Sequence, residues 1–198
     1  MADERWLPAL LSGLVSNHAR AFSLIRRKSL PGFGLFAAFL LFVGSSGRAL
    51  LSLQGFGYLL GDEQLPVGMA FLLILLFLHL LVFLATWYLG SVMVSKLAKS
   101  FGTGMNLAET WRLVVVSYTP FMMVQPFTVW TVAGQWVGLA GLVFTLVLFS
   151  KGITHLDYIP RKKMVGFTLV AFFVFLGLSY LLTNILMDIF VGFFIFKG

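Results

Sequence analysis

The sequence predicts an all-α fold: a polytopic membrane protein made of a five-transmembrane-helix bundle behind an amino-terminal amphipathic interfacial helix. Three observations carry this. Of 198 residues, 60% are hydrophobic and 11% charged, more apolar surface than a core of this size can bury. The 38 residues between Arg112 and Lys151 and the 32 between Glu63 and Lys96 contain no charge. Finally, the lysines and arginines gather in a few short segments between the apolar runs. A helix over the longer run would reach ~57 Å at ~1.5 Å per residue, nearly twice the ~30 Å hydrocarbon core. It therefore has to reverse, near Ala133, Gly134 and Gln135.

Before the first span, Leu7, Leu10, Leu11, Leu14, Val15, Phe22 and Ile25 fall at spacings that line one helix face, with Ser12, Asn17 and Arg20 opposite. Such a helix is expected to lie on the membrane. Arg26, Arg27 and Lys28 follow it and would draw it to anionic lipid at ~1 kcal/mol per charge. A cleavable signal peptide carries its cations before the apolar stretch, so this segment is not read as one. Residues 1–29 are thus assigned as a cytoplasmic amphipathic segment and 30–198 as the membrane domain.

The first span is placed at 30–47, with Arg48 at its far interface and 49–61 as a short interfacial or re-entrant stretch ending at Gly61, Asp62 and Glu63. The second covers 67–94. A polar loop follows, in which Asn106 stands three residues before Glu109, the pattern of a capping box that restarts a helix. The third span covers 111–130 and the fourth 135–154. The fifth begins after Arg161, Lys162 and Lys163 and is expected to end or bend near 184–188, leaving 189–196 along the interface.

Residues 1–30 hold five Lys and Arg, the loop after the second span with its flank holds Lys96, Lys99 and Arg112, and the loop after the fourth holds Lys151, Arg161, Lys162 and Lys163. The opposite side has Arg48 and Lys197. Cations concentrate on the cytoplasmic side of short loops, which places the amino terminus in the cytoplasm and, after an odd number of crossings, the carboxyl terminus outside.

Ser117, Tyr118, Thr119 and Pro120 in the third span, Pro126 after them, the run 148–153 closing the fourth span and the basic loop 157–163 resemble elements of the Ypt-interacting-protein (Yip) family, in its small bacterial form. The likeness covers about 97–173. Tyr118 stands two residues before Pro120, where the family's tyrosine stands three before. The resemblance implies a five-helix bundle with a cytoplasmic amino terminus and a bacterial inner-membrane location. For eukaryotic relatives it also implies contact with Rab-type GTPases through a long cytoplasmic region; here about 28 residues precede the first span.

Polar side chains at membrane depth each require a reason. His79 lies 12 residues into the second span, about 18 Å deep. It is either a neutral imidazole bonded to a neighbour or part of a ligand pocket or proton relay. Pro120 and Pro126 deny hydrogen bonds to the carbonyls of Val116 and Met122, so with Tyr118 and Gln125 they mark either a kinked packing helix or a broken helix lining a cavity. Gly134, Gly138 and Gly141 provide close approach for another helix, as do Gly44 and Gly47. Arg48 is a candidate partner for Asp188. Arg26, Arg27 and Lys28, together with Lys151, His155, Arg161, Lys162 and Lys163, form candidate contacts for lipid headgroups or a protein partner.

Cysteine is absent, which excludes disulfides and thiolate chemistry. No nucleophile paired with a base falls at mid-depth, so no catalytic, cofactor or metal group is expected. The +7 net charge is spread over several loops, which speaks against nucleic acid as a partner. The favoured function is a non-enzymatic membrane scaffold or accessory protein that binds a protein partner or a second copy of itself, or organises lipid. The alternative is a small transporter or channel using the proline-broken third span.

Overall fold

A charge-free run that reverses once near its middle gives two apolar helices lying side by side, and the whole chain repeats this solution. The structure is a computed structural model describing residues 6–25, 32–60, 69–102, 104–129, 132–156 and 161–194. In chain order the helices are α1 (Trp6–Ser16), α2 (His18–Ile25), α3 (Phe33–Leu60), α4 (Met69–Ser100), α5 (Leu107–Val124), a 3-10 turn (Gln125–Val129), α6 (Val132–Leu156) and α7 (Arg161–Phe194). No strand occurs among the described residues.

Apolar side chains cover the outside. Leu35, Phe39 and Phe42 on α3, Phe77 on α4, Trp136 on α6 and Phe173 on α7 are exposed, whereas Ser45, Ser91, Ser117 and Thr145 are buried. This inverts the arrangement of a water-soluble bundle and suits lipid. Among the described residues four helices are long and apolar enough to cross a membrane: Phe33–Gly55, Phe71–Ser100, Ala133–His155 and Lys162–Leu186. The chain is an integral membrane protein with an all-α fold.

The central element is α5. Leu113 to Thr119 are all buried, and α3, α4 and α6 each pack against it. A helix buried on every face is one enclosed by other helices. It starts at a capping box: Asn106 Oδ1 accepts from the Glu109 backbone N–H at 2.9 Å, and Glu109 Oε2 accepts from the Asn106 N–H at 3.2 Å. It continues through Pro120 and tightens into the 3-10 turn at Gln125. The reason is visible at Met122, whose carbonyl Pro126 cannot serve; that carbonyl accepts the N–H of Gln125 instead, a bond one residue shorter.

Close approach comes from glycine. Gly44 faces the Met122 side chain, and Gly47 lies against the backbone of Gln125 and Pro126, so α3 runs parallel to α5. Along α6, Gly134 meets the Phe127 and Thr128 carbonyls, Gly138 meets Thr128, Gly141 meets Val124, and Gly152 meets Leu113. Residue numbers rise on one helix as they fall on the other, so α6 is antiparallel to α5.

Four expectations need correcting. The first span does not close at Arg48 with a separate stretch beyond it: α3 continues to Leu60, because Arg48 finds the Phe121 ring 5.9 Å from its guanidinium carbon and no proline interrupts the helix. Nor does α7 bend near Asn184 to Asp188. These polar residues sit four apart on one face, where a helix tolerates them, and α7 runs unbroken for 34 residues. The reversal falls between Val129 and Val132, so Ala133, Gly134 and Gln135 already belong to α6. Lastly, the amino-terminal segment is two short helices that fold together at Asn17, with Ala21 against Gly13. Leu10, Leu14 and Phe22 join the main core, so protein covers their apolar face.

Candidate functional site

Helix α7 holds the key to the site. Its buried residues, Phe167, Thr168, Ala171 and Phe175, all lie in its first half, and none of its described residues beyond Phe175 is buried. Phe175 is the last anchor. Its ring lies against Gly90 of α4, 5.5 Å from the ring of Tyr118 on α5 and 6.3 Å from that of Phe149 on α6. Past that point the described residues of α7 are half-buried or exposed, and a cavity of about 370 Å³ lies beside them.

The cavity takes its walls from five helices. Arg48 comes from α3, His79, Thr86 and Trp87 from α4, Tyr118 and Phe121 from α5, Leu142 from α6, and Ser179, Tyr180, Thr183 and Asn184 from α7. Its lining is polar on the α3 and α7 sides and aromatic between them. Neither a carboxylate nor a cysteine is among the lining residues. Arg48 supplies the charge, and its guanidinium lies over Phe121. His79 is 4% exposed, and its Nε2 shares a hydrogen bond of 2.8 Å with Ser52 Oγ, the donor being set by the tautomer. Thr86 Oγ1 and Trp87 Nε1 are buried without a hydrogen-bond partner.

Two of the sequence-derived intramembrane residues, His79 and Tyr118, thus meet in one cavity. The other three do not line it. Pro120 stays within α5, while Gln125 and Pro126 sit in the 3-10 turn against Gly47, where they serve helix packing. Gly134, Gly138 and Gly141 face that turn and the end of α5 from the opposite side. Arg48 does not pair with Asp188: no ion pair between them occurs among the described residues.

The basic cluster lies at the other end of the bundle. His155 is exposed and its ring stacks on Phe22 at 6.4 Å, Lys151 is exposed on α6, and Arg161, Lys162 and Lys163 open α7. Arg26, Arg27 and Lys28 lie outside the described residues. Sequence reasoning missed the polar side of α7. The signal was present in Ser179 and Thr183, four residues apart on one helix face, and in Asn184 beside them; only 184–188 was singled out, as the place where the helix ends or bends.

No curated protein and no solved structure matches the chain. The Yip1 domain, by contrast, matches residues 12–183, from the middle of α1 to the cavity wall in α7. That span takes in α2 to α6 whole and parts of α1 and α7, and the chain belongs to the Yip1 domain family.

Proposed function

We propose that this protein is a non-enzymatic scaffold or accessory protein of a bacterial inner membrane, which organises lipid or holds a protein partner, itself included. The observation that carries this reading is the makeup of the cavity: one cation, several hydroxyls and an imidazole, without a carboxylate or thiol to act on a bound molecule. Such a lining binds rather than reacts. Toward the other end of the bundle stand the packed rings of Tyr118, Phe149 and Phe175, which favours holding a ligand over passing it through.

Five crossings fit this reading. α5 with its 3-10 turn extends ~37 Å at ~1.5 and ~2.0 Å per residue, enough to cross beside α3 and α6. Its length of 18 residues and its polar start at Glu109 and Arg112 make it the least apolar of the long helices. With α5 counted, the Lys and Arg of the loops fall on one side and the amino terminus is cytoplasmic. Residues 1–29 then form a cytoplasmic segment, whose described helices α1 and α2 dock on the 30–198 bundle.

Native mass spectrometry of the full chain, released from its own membrane in mild detergent, tests the function. The expected spectrum shows a bound lipid or a protein companion at fixed stoichiometry. A bare monomer without either would overturn the proposal.

A further inference from the structure

We infer that the cavity beside α7 binds a phosphate group through Arg48, and that the molecule carrying it is an anionic amphiphile; this rests on the lipid-organising reading above. Arg48 lies inside the Phe33–Gly55 candidate span, with α3 continuing for twelve residues beyond it to Leu60. A guanidinium at such depth is expensive and calls for a counter-charge. Among the described residues none supplies it: the group lies over the Phe121 ring, and Asp188, the acid expected to pair with it, does not.

The rest of the lining points the same way. On α7, Ser179, Thr183 and Asn184 add polar groups that are half-buried or exposed rather than sealed, and so are open to a bound molecule. With a guanidinium and hydroxyls and no carboxylate in the lining, the cavity selects an anion and repels a cation. Phosphate matches the planar fork of arginine and is the acceptor-rich anion that membranes carry.

The shape favours an amphiphile. The cavity borders Tyr180 of α7, which is 74% exposed, so it lies against the lipid-facing surface of the bundle. A headgroup entering there leaves its chains against the exposed apolar side chains of α7 such as Leu181 and Ile185. A soluble phosphate ester would share the arginine contact and lack the chains.

The test is a titration of delipidated full-length protein, followed by native mass spectrometry, with dioleoylphosphatidylglycerol, dioleoylphosphatidylcholine or glycerol 3-phosphate. One phosphatidylglycerol is expected to bind in preference to phosphatidylcholine, and Arg48→Gln should weaken it roughly ten- to hundredfold. Leu142→Trp, which fills the cavity from its half-buried α6 wall, should weaken it comparably, while Lys99→Gln, exposed at the end of α4 and outside the lining, leaves it unchanged. Glycerol 3-phosphate binding that depends on Arg48 would assign the phosphate to a soluble ester and refute the amphiphile. Equal binding of the two lipids, or wild-type binding by both Arg48→Gln and Leu142→Trp, would overturn the phosphate site. If Arg48→Gln fails to fold, Leu142→Trp decides. A protein companion found in native membranes together with a negative titration would sink this site and leave the scaffold function standing.

Discussion

Ser52 on α3 and His79 on α4 hold each other across the bundle through a hydrogen bond of 2.8 Å, with the histidine buried. The bond ties together the two helices that bring Arg48 and Trp87 to the cavity, so its energetic weight bears on both stability and site geometry. Hydrogen bonds between helices in lipid are worth about 0.6 to 2 kcal/mol. Ser52→Ala should therefore lower stability by about that much, and a double-mutant cycle with His79→Leu should show coupling of the same size in reversible unfolding from mixed micelles.

The glycines divide by what they face. A Cβ on Gly47 would meet backbone atoms of Gln125 and Pro126, and one on Gly134 would come within 2.9 Å of the Phe127 and Thr128 carbonyl groups, neither of which can give way. Gly47→Ala and Gly134→Ala should each cost about 1 to 3 kcal/mol. In contrast, Gly44 faces the flexible Met122 side chain and Gly138 faces a Thr128 methyl group, so alanine at these two should be nearly silent. Thermal inactivation midpoints of the four variants in one detergent would separate the pairs, and equal midpoints would refute the clamp.

Phe175 is 1% exposed and meets three other helices, so Phe175→Ala should be the most damaging single substitution in α7, at about 3 to 5 kcal/mol. Phe173→Ala, two residues away and 66% exposed, should be mild. Expression level and monodispersity on size-exclusion chromatography are sensitive enough to tell them apart.

Asn106→Ala removes the side chain that accepts from Glu109 N–H and leaves the first turn of α5 without its cap. A loss of about 1 kcal/mol is expected, read as faster amide exchange confined to the first turn of α5.

The five-crossing topology makes a sided prediction. Reporter fusions at residues 1 and 198 should mark opposite faces of the membrane, the amino-terminal one cytoplasmic. Both reporters on one face would leave α5 short of a full crossing.

How much of this was legible from the chain depends on whether a feature lives on one helix or between several. The course of α4, the pairing of α5 with α6 and the Asn106–Glu109 cap follow from local pattern, because charge-free length and capping chemistry act within a single segment. The continuity of α3 does not: whether Arg48 ends a helix depends on Phe121, 73 residues away, being there to receive it. The same holds for α7, whose segment 184–188 reads as a helix terminus until the cavity lined by Ser179, Thr183 and Asn184 is known. The amino-terminal segment has a face fit equally for lipid or for protein, and the packing of Phe22 on Gly152 decides for protein.

One consequence of α7 forming a wall of the cavity concerns the order of events at the ribosome. This helix is made after the other described helices, and it furnishes Ser179, Tyr180, Thr183 and Asn184. Until Phe175 docks, the earlier helices present an open furrow to the bilayer, so the nascent chain meets its surrounding molecules before the final wall is in place. The docking that completes the fold is also the step that completes the cavity wall.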